Sequence, residues 1–208
     1  MCGIYGSNSR VHFYDLYLLN RSRGTYGCGH YYFRDNTSYT LYSNEELSLD
    51  DIPKNMNYYL GHNRAPTSET KVYSEQTSHP FFTENFIFAH NGIIKETKQF
   101  EEQFSKQHQV DSMWIGDLLE RYSLQNALEK ISSNPFAVWI RARNVENCIY
   151  LARVANPIYY SKLHNSFSST IFENSILLEQ GKIYRCDTNH LQQNLETFNY
   201  KSPYFIPG

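Results

Sequence analysis

The chain begins Met1-Cys2-Gly3-Ile4-Tyr5-Gly6, and this stretch decides how the rest is interpreted. Residues 3–6 place Ile and Tyr between glycines, which predicts a short first strand. A small second residue favours removal of the initiator Met, which would leave Cys2 with a free α-amine beside its thiol. The reference pKa is ~8.5 for the thiol and ~7.7–8.0 for the amine, so one residue would carry a nucleophile and a base. Cys2 alone favours the alternative, a cysteine that happens to open a strand.

Composition limits the classes of protein that this chain could represent. It has 208 residues, with 19 Lys and Arg against 21 Asp and Glu, and a formal charge of −2. That balance argues against a nucleic-acid binder and a membrane-surface binder. Aromatic residues make up 16% of the chain, which excludes a disordered protein. No run approaches the ~20 apolar residues of a membrane span, and no leader is evident, so we expect one cytoplasmic domain over residues 1–208.

The pattern of apolar residues predicts a layered α+β domain. Helical spacing indicates helices over residues 11–20, 95–107 and 112–131. Short runs rich in Val, Ile, Tyr and Phe predict strands. These runs are residues 3–6, 28–33, 39–42, 57–61, 86–89, 136–141, 148–152, 157–161 and 182–186.

The cysteines and histidines suggest neither a disulfide framework nor a metal site. Four cysteines occur without a CxxC pair, and the eight histidines include no HExxH motif. We therefore expect reduced thiols and a protein that needs no metal and no organic cofactor.

A second segment that could take part in catalysis is Phe88-Ala89-His90-Asn91-Gly92-Ile93-Ile94. The side-chain amide of Asn91 and the backbone N–H of Gly92 could converge on a tetrahedral oxyanion, where one such donor is typically worth ~10²–10³ in rate. The alternative is that Asn91 and Gly92 form a hairpin turn between two strands.

Three charged residues stand in further short motifs. Arg64 follows Gly61-His62-Asn63, and its planar fork of donors suits a carboxylate; it could also be a surface arginine in a turn. Asp111 precedes a predicted helix, where it or Ser112 could act as the N-cap. Arg23 opens Arg23-Gly24-Thr25-Tyr26-Gly27-Cys28-Gly29, and it could equally be a basic residue that favours a helix C-terminus.

Taken in their order along the chain, the five segments resemble class II glutamine amidotransferases, which are N-terminal-nucleophile hydrolases that take ammonia from glutamine. The resemblance extends from about Cys2 to Asp187 and leaves residues 188–208 unassigned. The chain departs from the family pattern at Tyr26, where an aspartate is frequent, and at Met113, where a glutamate is usual. The resemblance implies a four-layer αββα fold, in which two antiparallel sheets lie between helix layers.

The resemblance also implies roles for single residues. Cys2 would be the nucleophile, Arg23 would help to order it, and Asn91 and Gly92 would hold the oxyanion. Glutamine would be bound by Arg64 at its α-carboxylate and by Asp111 at its α-amino group. The implied contacts to glutamine as a set are Arg64, Thr67, Asn91, Gly92 and Asp111.

The implied reaction is hydrolysis of glutamine to glutamate and ammonia through a γ-glutamyl thioester. No synthetase domain fits into residues 188–208, so we expect a separate synthetase chain to accept the ammonia. Two alternatives remain open. One is an amidohydrolase of the same fold that cleaves a γ-glutamyl or other amide in a larger substrate, and the other is an idle interaction module that retains the fold.

Overall fold

Two antiparallel sheets lie face to face, with helices on both outer faces. This computed structural model describes residues 2–65, 74–145, 147–187 and 191–201. Within that part, α1 packs on one sheet and the remaining α-helices pack on the other. The expected four-layer αββα arrangement is therefore confirmed.

The first sheet contains the N-terminal strand near its centre. Gly3, the first residue of its strand, pairs with Asn63. Cys2 directly precedes that strand and therefore lies beside Arg64, the last residue of the neighbouring strand. In spatial order the strands are β11 (Ile176–Leu177), β9 (Tyr159–Ser161), β10 (Ser166–Ser168), β1 (Gly3–Ser7), β4 (Tyr58–Arg64), β2 (Gly27–Arg34) and β3 (Thr37–Ser43).

The second sheet carries the Asn-Gly segment. In spatial order its strands are β13 (Leu191–Thr197), β12 (Lys182–Asp187), β8 (Cys148–Val154), β7 (Phe136–Ala142), β6 (Phe86–Gly92) and β5 (Phe81–Phe82). Asn91 pairs with Ala137 and Gly92 with Phe136, so both residues end a strand. The hairpin-turn interpretation of Asn91 and Gly92 is therefore wrong.

The helices agree with the predicted pattern except in one place. They are α1 (Arg10–Arg21), α2 (Thr97–Phe104), α3 (Met113–Arg121) and α4 (Leu124–Ile131). The single helix predicted over residues 112–131 is wrong, because Tyr122 has extended backbone and the Ser123 side chain accepts from the Asn126 N–H to cap α4. No helix in the described ranges is long and apolar enough to cross a membrane.

The gap between the sheets is filled by an apolar core, and Cys2, Arg64 and Asn91 lie at one end of it. Ile4, Leu60 and Ala89 face this gap, and alternation along a strand directs residues two or four positions away to the same side. By that alternation Cys2, Arg64 and Asn91 face the gap at the ends of their strands. The indole of Trp139 donates to the Gly61 carbonyl at 3.1 Å and so joins the two sheets beneath them.

Candidate active site

Cys2 lies against the residue that follows β4. The Ala65 N–H donates to Cys2 Sγ at 3.4 Å, and Sγ lies 3.6 Å from the Ala65 carbonyl oxygen. Burial raises the pKa of the half-buried Cys2 thiol, although the Ala65 backbone and the Arg64 guanidinium lower it, and the Asp111 carboxylate raises it further. The thiol is therefore protonated near neutral pH and needs a base in order to react. Met1 lies outside the described residues.

Arg23 holds the backbone of Cys2. Its Nε donates to the Cys2 carbonyl at 2.9 Å, and its Nη1 donates to the Ser169 carbonyl at 3.4 Å. Because α1 ends at Arg21, Arg23 lies beyond the helix and joins the start of β1 to the segment after β10. The next residue, Gly24, has no room for a side chain, since a Cβ there would lie 2.4 Å from the Arg64 carbonyl carbon.

Arg64 is the last residue of a strand, so the turn interpretation is wrong. Its Nη1 donates to Thr77 Oγ1 at 3.1 Å, and its guanidinium carbon lies 5.7 Å from the centre of the Tyr26 ring. The Tyr26 N–H also donates to the Arg64 carbonyl at 3.1 Å. Thr77 was not predicted from the sequence, because nothing in its neighbourhood marks it. Thr67 lies outside the described residues.

The Asp111 side chain does not bond to the backbone of the helix that follows it. Its Oδ2 accepts from the Ile94 N–H at 2.6 Å, and its Oδ1 lies 3.5 Å from Ser112 Oγ. Ser112 occupies the N-cap position of α3 without a capping hydrogen bond and instead bonds His90 Nδ1 at 2.8 Å. The N-cap interpretation is therefore wrong for both side chains.

Asn91 presents a donor that has no partner. Its side-chain Nδ2 is buried and lacks a hydrogen-bond acceptor among the described residues. Its backbone carbonyl accepts from Asn156 Nδ2 at 2.8 Å, which fixes the end of β6. Buried donors are nearly always paired, so this amide is suited to an acceptor supplied by a ligand. Asn156 is a second residue that was not predicted, because no sequence motif marks it as functional.

Three histidines lie buried directly behind the site. The ring centres of His62 and His79 are only 4.1 Å apart, and His90 lies 6.5 Å from His79. Burial lowers the pKa of His62 to about 3, that of His90 to about 4 and that of His79 well below its ordinary value. All three are therefore neutral at pH 7, and a proton on any of them would be strongly disfavoured.

We expect these histidines, with His30, to make the fold unstable in acid. Burial lowers the pKa of His30 to about 3. In the unfolded chain an imidazole has a pKa of ~6.5, so below that pH the unfolded state binds protons that the folded state does not. Stability is therefore fully present above about pH 6.5 and is lost as the pH falls towards 4, by about 2 kcal/mol per buried histidine at pH 5. Urea unfolding at several pH values measures this loss.

A matched pair of variants separates this effect from general acid sensitivity. His30→Gln removes a buried imidazole and should reduce the slope of unfolding free energy against pH. Gln107→Asn changes an exposed side chain that does not titrate and should leave that slope unchanged. An unfolding free energy that stays constant between pH 7 and pH 5 would contradict the prediction.

No family model matches the chain. The chain is 25% identical over 166 residues to 7-cyano-7-deazaguanine synthase 2 of Sulfurisphaera tokodaii, an alignment that covers 70% of this chain and 36% of that protein. It is 28% identical over 131 residues to 7-cyano-7-deazaguanine synthase of Saccharolobus solfataricus, covering 58% of this chain and 28% of that protein. The chain thus spans about a third of the length of the curated relatives that it matches.

Solved structures with the same fold include a glutamine phosphoribosylpyrophosphate amidotransferase from B. subtilis. Its TM-score is 0.71 at 16% identity, covering 97% of this chain and 50% of that chain. A second, described as the allosteric regulatory enzyme of purine biosynthesis, also has a TM-score of 0.71 at 16% identity and covers 92% of this chain and 48% of that chain. At this identity the likeness establishes the fold alone, and the chain therefore shares with these proteins two antiparallel sheets between layers of helices.

Proposed function

We propose that this chain is a glutaminase domain, which hydrolyses glutamine to glutamate and ammonia with Cys2 as its nucleophile. The observation that carries the proposal is the surroundings of the thiol. Cys2 Sγ accepts from the N–H of Ala65, the residue after the Arg64 cation, and the Asp111 carboxylate, which raises the pKa of the thiol, is held by the Ile94 N–H two residues beyond Gly92. Opposite charges beside a nucleophile match the α-carboxylate and α-amino groups of a free amino acid.

The reaction would follow from the chemistry of Cys2. After removal of Met1, the α-amine takes the thiol proton, and sulfur attacks the side-chain amide carbon of glutamine. The Asn91 amide and the Gly92 N–H stabilise the resulting oxyanion. The C–N bond then breaks as the protonated α-amine returns its proton to the leaving nitrogen, which departs as ammonia. Water attacks the thioester next, and glutamate leaves with the thiol restored.

The remaining side chains of the site would position these groups. Arg23 fixes the carbonyl of Cys2 and thereby the direction of the thiol. Thr77 and Tyr26 hold the Arg64 guanidinium while leaving donors for a bidentate carboxylate. Thr67, which lies outside the described residues, stays a predicted contact to glutamine.

The ammonia would pass to a synthetase, because ammonia released into water near pH 7 is mostly converted to ammonium, which is not a nucleophile. The names of the curated relatives suggest what the acceptor would be. A 7-cyano group contains a nitrogen that a donor must supply, so we propose that the synthetase acts on a 7-deazaguanine compound. Purification of this chain with its synthetase, followed by assay with glutamine labelled at the amide nitrogen, tests whether that nitrogen enters the acceptor.

We expect Asp111→Asn to lower kcat/KM for glutamine by roughly one to two orders of magnitude. Charged hydrogen bonds contribute ~1.5–3 kcal/mol, and each ~1.4 kcal/mol is tenfold in rate. Asn keeps an oxygen that can accept from the Ile94 N–H, so the fold is retained while the charge is lost. Arg64→Ala should have an effect of similar size. Steady-state glutamate production measures both.

The control for charge is Arg21→Ala, which removes a nearby arginine that pairs with Glu46 at 3.1 Å. That variant should retain its kcat/KM. If Asp111→Asn and Arg64→Ala both hydrolyse glutamine at the wild-type rate, the amino-acid contacts are wrong. If the wild-type protein ignores glutamine but cleaves a larger amide, the amidohydrolase alternative replaces the proposal.

A further inference from the structure

Arg141 lies buried at the end of the sandwich remote from Cys2. Arg141, on β7, pairs with Ile87 of β6, whereas Phe136 at the other end of β7 pairs with Gly92 of β6. Five residues of extended strand separate Arg141 from Phe136, which is roughly 17 Å at about 3.3 Å per residue. The Arg141 side chain is therefore distinct from the candidate active site.

The charge of Arg141 has no counter-ion in the described part of the chain. The residue is only 8% exposed, and its buried Nε lacks a hydrogen-bond partner there. None of the ion pairs found in that part includes Arg141. Its guanidinium carbon lies instead over aromatic rings, 4.4 Å from the centre of Phe33 and 5.8 Å from that of Tyr31. Stacking compensates a buried cation only in part, because the buried Nε–H still lacks an acceptor among the described residues.

Arg141 lines a cavity of about 210 Å³ between the two sheets. This volume is several times the ~30 Å³ that one water molecule occupies in the liquid, so an oxyanion with a few further atoms fits. Polar residues dominate the wall, and Ser38, which pairs with Phe33, lies on the side of the first sheet that faces the gap. The lining residues are Tyr31, Asp35, Asn36, Thr37, Ser38, Phe82, Ile87, Arg141 and Arg143.

The charges in this wall favour an anion. Arg143 donates to the carbonyls of Thr83 and Glu84, so it adds a positive charge that these neutral groups do not cancel. The carboxylate in the wall, that of Asp35, lies 3.7 Å from Arg34 Nε and accepts from Asn57 Nδ2. The wall therefore contains two cations, Arg141 and Arg143, and one carboxylate, Asp35, which already interacts with Arg34 and Asn57.

We propose that this cavity binds a small oxyanion, a phosphate or carboxylate group, with the Arg141 guanidinium as its principal contact. The planar fork of donors suits either group, and Asn36 in the turn and Ser38 at the start of β3 can supply further donors. The proposal rests on a buried cation and a cavity lined by donors, and it is independent of glutamine hydrolysis.

The test uses the full chain, with inorganic phosphate and acetate as separate probes and chloride at equal ionic strength as the reference. We expect phosphate or acetate to raise the Tm with a saturable dependence on concentration, as mass action requires, and calorimetric titration to give a matching affinity. Tighter binding of phosphate indicates a ligand with a phosphate group, and tighter binding of acetate indicates a ligand with a carboxylate group.

Arg141→Met keeps the apolar stem over Phe33 and should abolish the Tm rise and the binding heat. In chloride it should unfold no earlier than wild type, since it removes an uncompensated charge.

Arg121→Met is the matched control, because Arg121 also lies over an aromatic ring, 4.5 Å from the centre of Phe104, but is exposed. It should keep the full response to the anion. Arg141→Lys, which retains the charge without the fork, should bind at least tenfold more weakly, and it serves if Arg141→Met does not fold. The proposal is overturned if phosphate and acetate give the wild-type protein no more stability than chloride. It is equally overturned if the Arg141 variants bind as well as the wild type.

Discussion

Replacing Cys2 with Ala should reduce glutamine hydrolysis by about four orders of magnitude or more, because no other group in the site can form the thioester. Among the described residues, the thiol makes only long contacts, of 3.4 and 3.6 Å, to Ala65. The substitution should therefore leave the Tm almost unchanged and leave binding of glutamine measurable by calorimetry. Glutamate release measured over hours, with the variant at high concentration, gives the size of the loss.

Cys28→Ala is the matched control for this experiment. Cys28 pairs with Asn63 on the neighbouring strand, yet it is buried on the α1 side of the sheet. Its loss should cost stability on the order of 1 kcal/mol and should leave turnover intact. Residual activity in Cys2→Ala within tenfold of wild type would show that a different residue attacks the substrate.

Asn91→Ala is expected to lower kcat by about 10²–10³ with little change in KM, because the lost donor acts mainly on the oxyanion of the transition state. The unpaired Nδ2 of Asn91 makes a second expectation possible. Removal of a buried donor that has no acceptor costs no hydrogen bond, so the Tm should stay constant or rise. Pre-steady-state release of ammonia, measured beside thermal unfolding, tests both expectations.

Asn134→Ala should give the opposite result. Its Nδ2 donates to Glu96 Oε2 at 2.5 Å and to the Ile131 carbonyl at 3.2 Å, outside the proposed oxyanion site. Its loss should lower the Tm and leave kcat unchanged. If Asn91→Ala instead lowers the Tm and keeps kcat, Asn91 has a structural role and the proposed oxyanion donor must be sought elsewhere.

Sequence patterns located the layers of the fold and most of the residues that meet near Cys2. The runs of aromatic and aliphatic residues in β4 and β6 were sufficient to predict strands, although the last residues of both strands are polar and extend each strand beyond its predicted end. The predicted helix over residues 112–131 failed because Ser123 is compatible with a helix surface as well as with a cap. Strand β13 lies in the segment that the resemblance left unassigned.

Contacts between distant segments were beyond prediction from local patterns. The bond from Arg23 to the Cys2 carbonyl and the bond from Arg64 to Thr77 depend on how the chain closes. The engagement of Asp111 by the Ile94 N–H was likewise hidden, because an Asp before a helix usually suggests a cap. The counter-ion deficit at Arg141 becomes visible only when its burial is known.

The central claim is that the α-amine and thiol of Cys2 together carry out glutamine hydrolysis. Its most direct test is mass spectrometry of the intact active protein, followed by peptide mapping, after inactivation with a diazo-ketone analogue of glutamine. We predict a chain that lacks Met1 and carries one adduct, located on Cys2, with activity lost in proportion to labelling. An active protein that retains Met1, or an adduct on Cys28, Cys148 or Cys186 with Cys2 unmodified, would contradict the claim.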